Sequence, residues 1–278
     1  MPQLLRTAAA SLRTAWAFLK RDFLITASYK TAFAADAIGI VFKVITFYYI
    51  GAVIKGSVAP SLSAYRHDYF GFLIIGIALL DFVHTSLDTF SVSIRDSQMT
   101  GTLEVVLLSP IQLPHMVIYS SLWPYVFTAI RFATYVGTGV LLFDLHIAPA
   151  GIPTAIVVLL LTIFCFAPLG IICAAVIMVF KKGVWFQTLI NGASVLLAGV
   201  AYPVTVLPAW AAKASLYLPL THSVTAMRQA LLNGKGLFEI RAEIMALLAF
   251  ATLLMPFSLM IFQASVSRTK RLGTLTQY

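Results

Sequence analysis

The chain predicts an all-α integral membrane protein, one membrane domain over residues 1–278 with six transmembrane helices, on three observations. Hydrophobic residues make up 60% of it and charged residues only 10%. Its mean hydropathy is +0.93. Its apolar residues gather into long runs divided by turn residues and charges. A bilayer admits only backbones that satisfy their own hydrogen bonds, so apolar runs of about 20 residues read as spanning helices. No polar stretch is long enough to fold as a soluble domain beside them.

The elements follow in order. Over residues 1–30, Leu5, Leu12, Trp16, Leu19 and Phe23 recur at helical spacing while Arg6, Arg13, Lys20 and Arg21 fall elsewhere. That is a basic amphipathic helix, suited to the plane of the headgroups with its cations toward anionic lipid. It lacks the compact apolar core and small-residue cleavage site of a removable signal peptide. Spans are expected at about 32–54, 68–90, 116–143, 154–180, 185–206 and 242–264. The fifth is the least regular, since Asn191, Gly192, Pro203 and Pro208 interrupt it. The proline-punctuated stretch 202–241 is expected to form short re-entrant or extracellular helices. Both cysteines, Cys165 and Cys173, lie in one apolar run and read as packing residues.

The net charge of +9 lies beside the apolar segments rather than on a soluble face. It therefore points to membrane lipids and away from nucleic acid. With the N-terminus inside, 11 of the Lys and Arg residues fall on the cytoplasmic side and 6 on the other, Lys43 and Arg131 lying within spans. The positive-inside bias places both termini in the cytoplasm. No internal repeat suggests an inverted-repeat carrier.

Between the second and third spans, within the segment 91–115, the chain becomes too polar to remain in the membrane. Gly101 permits a turn, Thr102 can cap a helix, Glu104 complements the positive end of its dipole, and Pro110 stops it after about two turns. Leu103, Val106 and Leu107 then share a face. A short helix with an apolar ridge on the cytoplasmic side suits a groove on another protein. A loop that merely covers helix ends accounts for the same residues equally well.

Gly101-Thr102-Leu103-Glu104, followed by Leu107, Ser109 and Pro110, resembles the GTLE-x-x-x-x-[ST]-P signature of the permease subunits of ABC-2 type transporters. Tyr202-Pro203, Leu207-Pro208-Ala209-Trp210, Leu218-Pro219-Leu220-Thr221 and Arg228 are similar to the segment those permeases carry between their fifth and sixth spans. With the amphipathic start, the resemblance covers essentially the whole length. One position departs from it: the family often has an acid just before the glycine, where this chain has Gln98, Met99 and Thr100.

The resemblance implies that Gly101–Pro110 is a coupling helix seated on an ABC ATPase, with Glu104 near the interface. It also implies two membrane subunits, this chain with a second copy or a close homologue, in a bacterial cytoplasmic membrane. The complex would export its cargo. No G-x-x-x-x-G-K-[ST] occurs in these 278 residues, so ATP and Mg belong to the partner and this chain needs no cofactor of its own.

Lys43, Asp81 and Arg131 each fall near the middle of a span, where an unpaired charge costs at least about 2.5 kcal/mol. Asp81 is expected to accept from Arg131 or Lys43. Asp81, His84 and Asp88 recur at three and four and line one face of the second span. They read either as a polar wall of a transport path or a proton-sensitive relay, or as part of a structural ion pair that fixes helix register. Phe42, Phe47, Tyr48 and Tyr49 read as an interfacial aromatic belt. No hydrolase triad or metal-ligand set is visible, His115 and His222 lacking companions. An ion-coupled carrier or channel, and an intramembrane enzyme using the Asp81, His84 and Asp88 face, are the competing functions.

Overall fold

The computed structural model describes residues 2–58, 68–99, 113–180 and 184–272. Its long helices are α1 (Pro2–Ser28), α2 (Lys30–Val58), α3 (Tyr69–Met99), α4 (Leu113–Phe143) and α5 (Ile152–Phe180). They are followed by α6 (Val184–Leu197), α7 (Ala209–Ser215), α8 (Pro219–Asn233) and α9 (Arg241–Leu272). No strand occurs among the described residues. The all-α membrane fold is as the composition requires.

Among the described residues, five stretches are long and apolar enough to cross a bilayer: Lys30–Val53, Tyr69–Val92, Ile118–Phe143, Pro149–Phe180 and Arg241–Thr269. The expected fifth span, 185–206, is instead the 14-residue α6 followed by a turn. At about 1.5 Å per residue, α6 reaches only about two thirds of the hydrocarbon thickness. The six-span count is therefore met by length in five of its six members.

Asn191 and Gly192 do not break α6, contrary to the sequence expectation. Gly192 has open space around it, and one interior glycine costs only about 1 kcal/mol of helix stability. The break comes at Gly199, whose φ of +70° belongs to the left-handed region that other residues resist.

The bundle is organised around α3. Of its apolar window 72% is buried, against 11% for the corresponding windows of α2 and α9. One side of α3 carries α2 and α4, with α1 laid along α4; another carries α5, on which α8 and α9 pack. Phe72, Ile74, Ile75, Leu79, Phe82, Leu87 and Phe90 of α3 are at most 2% exposed and form most of its share of the core. In a bilayer such close packing, rather than expulsion from water, holds the helices together.

Aromatic contacts mark the two ends of the α2–α3–α4 group. Tyr48 stacks on Phe143 at 4.1 Å between ring centroids, and Phe70 meets both edge-on. Part of the aromatic belt expected from the sequence thus joins helices to one another. Near the other end Trp123 donates to Thr26 Oγ1 at 2.7 Å and meets Phe23 edge-on, fixing the amphipathic α1 against α4. Cys165 and Cys173 are buried free thiols, as expected, and Cys165 Sγ donates to the Leu247 carbonyl across the α5–α9 contact.

Candidate functional site

A groove of about 450 Å³ runs between α3 and α4, lined by Asp81, His84, Thr85, Asp88 and Thr89 from α3 and by Ser120, Pro124 and Arg131 from α4. The α3 residues lie at spacings of three and four, so the helix turns one polar stripe into the groove while its apolar stripe faces the core. His84 and Asp88 are exposed on the single chain. Ionisable side chains inside spanning helices face a bundle interior or water rather than lipid. The groove thus places ionisable and hydroxyl side chains within two stretches long and apolar enough to cross a bilayer.

At its deep end Arg131 lies between two carboxylates. Its Nη2 stands 3.2 Å from Asp81 Oδ2 and its Nε 3.3 Å from Asp36 Oδ2. Neither Arg131 Nε nor Asp81 Oδ2 has an aligned hydrogen bond, so the guanidinium is held mainly by charge and shared between two helices. The sequence left Asp81 with two candidate donors, and Arg131 is the one in place. Lys43 instead points its Nζ at Tyr135 Oη, 3.4 Å away.

Asp36 was missed because it sits at the edge of the second helix's apolar run. Its signal was available: Asp36 and Lys43 are seven residues apart, two helical turns, and so share a face of α2. Gln187 of α6 was missed as well. It donates to the Leu87 carbonyl at 2.7 Å and approaches Asp88 Oδ1 at 3.4 Å, tying the short helix to the groove wall. Thr85 and Thr128 share a hydrogen bond of 2.7 Å across the groove floor, and Tyr125 donates to Ser86 Oγ at 3.0 Å behind it.

Gly101, Thr102, Leu103, Glu104, Val106, Leu107 and Pro110 lie outside the described residues. The chain nevertheless fixes their connectivity. The segment 100–112 joins the end of α3 to the start of α4, the two helices that wall the groove.

The proline-punctuated stretch meets the bundle through Arg228 of α8, which is 3% exposed. The sequence counted Arg228 among cations of an outer segment; the structure buries it. Its Nε and Nη2 donate to the Phe72 carbonyl, its Nη1 to Gly199 and its Nη2 to Val200, all at 2.7–3.0 Å. Tyr69 Oη donates to the next carbonyl, Ala201, at 3.0 Å. Carbonyls at a helix end have no partner within the helix and, once buried, need a donor from elsewhere. Arg228 and Tyr69 supply the missing donors for the turn after α6.

The Arg131 pair has a direct consequence. Arg131→Met leaves Asp36 and Asp81 facing each other without their cation and lowers the yield of monodisperse protein and its melting temperature. The penalty is at least about 2.5–3.5 kcal/mol, the cost of a single unpaired intramembrane charge, since two carboxylates lose their partner. Adding Asp81→Asn removes the repulsion between the two carboxylates but leaves Asp36 without its cation, so it restores only part of the loss. Size-exclusion chromatography with thermal melting checks both variants, and equal melting of Arg131→Met and wild type would show that the pair has no structural weight.

The described residues thus form a helical bundle with five stretches able to cross a bilayer and a groove that carries ionisable side chains between α3 and α4. Residues 13–232 match the model of the family described as ABC-2 type transporter. Nodulation protein J of Sinorhizobium fredii is 30% identical over 197 residues, which cover 69% of this chain and 72% of that protein. The chain belongs to the ABC-2 type transporter family. It is a multi-pass membrane subunit of an ABC transporter, a class whose ATPase is its partner.

Proposed function

We propose that this chain is the permease of an ATP-driven exporter, moving its cargo outward across a bacterial cytoplasmic membrane with both termini on the cytoplasmic side. ATP and Mg are bound by a separate nucleotide-binding subunit, consistent with the lack of a phosphate-binding loop in these 278 residues. A second copy of the chain, or a close homologue, completes the path. Membrane lipids surround it, and α1 lies among their headgroups.

The observation that carries this reading is a connection. The segment Gly101–Pro110 links α3 to α4, so a partner that grips it applies force to both walls of the polar groove at once. Glu104 is the polar contact at that grip, and Leu103, Val106 and Leu107 its apolar ridge. ATPase closure then becomes rigid-body movement of the helices, the usual form of such transitions. Lys43, Asp81, His84, Asp88 and Arg131 serve the path as its polar wall, with Arg131 also holding α3 to α2.

The test is made on the complex of permease and ATPase. Leu107→Arg and Glu104→Arg weaken ATPase binding by at least about ten-fold, equivalent to about 1.4 kcal/mol, and abolish the permease-dependent rise in ATP turnover. Full retention of both properties in both variants removes the segment from the coupling role.

A further inference from the structure

The charges of the α3–α4 groove do not cancel. At its deep end Arg131 is committed to Asp36 and Asp81, and Lys43 is turned to Tyr135 beside them, so two cations answer two carboxylates. Nothing there is left for Asp88. It stands seven residues further along α3, about 10 Å, at the end of the groove nearer the segment 100–112. Its carboxylate is exposed on the single chain, and its side-chain contact is with Gln187 Nε2, a neutral amide 3.4 Å away. Among the described residues no ion pair reaches it, not even from His84 one turn back.

The hydroxyls beside it add acceptors rather than donors. Thr128 gives its single proton to the Pro124 carbonyl at 2.8 Å, so in the Thr85–Thr128 bond of 2.7 Å the donor is Thr85. Thr85 has thereby spent its own proton and turns only lone pairs into the groove. An anion entering would meet the Asp88 carboxylate and find the Arg131 guanidinium already shared between two others. A cation would meet a carboxylate without a counter-ion, inside a stretch where an unpaired charge is costly. Val92, 49% exposed, and Pro124 add apolar contact at the same site.

We propose that the groove receives its cargo as a lipophilic organic cation, the positive charge paired with Asp88 beside the Thr85 oxygen. This rests on the reading of the groove as the transport path and adds to it the sign of the cargo's charge. Asp88 is then the residue that selects for charge, while Asp81 and Arg131 hold the wall in place.

The test uses the intact complex of permease and ATPase in phosphatidylcholine nanodiscs, free of nucleotide, with tritiated tetraphenylphosphonium as the probe. Tetraphenylborate, measured separately, has the same shape and the opposite charge. The phosphonium binds saturably, at least about ten-fold more weakly in Asp88→Asn and within about three-fold of wild type in Asp88→Glu. The borate shows no saturable binding to the wild type. Asp144→Asn removes an exposed carboxylate outside the groove, at a φ of 51° that asparagine accepts, and leaves binding unchanged. Should Asp88→Asn fail to assemble, the wild type still reports: phosphonium at ten times its Kd slows carbodiimide modification of Asp88 by about ten-fold. No saturable phosphonium binding, full binding by Asp88→Asn, an equal loss in Asp144→Asn, or equally tight binding of the borate overturns the proposal. Any of these while Leu107→Arg still uncouples the ATPase sinks the charge assignment alone, whereas phosphonium bound at Asp88 without effect on ATP turnover overturns the path reading.

Discussion

Arg228→Met destabilises the protein by about 2–6 kcal/mol, since two buried carbonyls lose their donors. The arginine donates four hydrogen bonds to three carbonyls on two elements and lies over the Phe72 ring, 3.2 Å from its centroid. Methionine fills similar space but leaves the Gly199 and Val200 carbonyls without these donors inside the bundle. Each unmet buried polar group costs about 1–3 kcal/mol. Arg228→Lys keeps the charge but not the planar fork, and one ammonium cannot span Phe72, Gly199 and Val200 together. The expected order of melting temperature is wild type, Lys, then Met. In the Met variant the turn after α6 opens, so protease cleavage near residues 198–204 appears before the rest of the chain is cut. A Met variant that melts with the wild type and resists cleavage there would falsify the pinning role.

Spans, faces and one ion pair were legible in the sequence because each rests on a local rule. Apolar length gave five of the crossings, and spacing put Asp81, His84 and Asp88 on one stripe. Burial cost required Arg131 to find a carboxylate, which it does in Asp81. What was not legible depends on which helix lies beside which. Periodicity shows that Gln187 and Arg228 occupy particular faces of their helices, not that those faces meet the Leu87 and Phe72 carbonyls. Prolines and Asn-Gly announced irregular backbone near residue 200, yet the helix ran through Asn191 and Gly192 and stopped at Gly199, where the neighbouring elements supply donors for the freed carbonyls.

A tight helix contact lies between α5 and α3, and Gly170 makes it possible. A Cβ built on Gly170 would stand 2.0 Å from the Ser86 carbonyl oxygen and 2.5 Å from Phe90 Cδ2. The phenyl ring can rotate away; the carbonyl cannot, since it belongs to the backbone of the central helix. Ordinary contact begins near 3.4 Å, so Gly170→Ala must push the helices apart by more than 1 Å or bend one of them.

Overpacking of this kind costs about 1–3 kcal/mol when side chains can yield, and the outcome here lies at or beyond the upper end because backbone meets backbone. The strain lands on the groove as well. Ser86 accepts from Tyr125 of α4 at 3.0 Å and sits on the far side of α3 from His84 and Asp88, so a displaced α3 moves the polar wall. Gly137→Ala is the matched control. Both glycines lie inside spanning helices, but the space at Gly137 is open, and the alanine there is neutral or gains up to about 1 kcal/mol in helix propensity. Thermal melting of the two purified variants beside the wild type gives opposite shifts if α3 and α5 touch as described. Equal melting of both alanine variants would show that α5 lies farther from α3 than a missing Cβ requires.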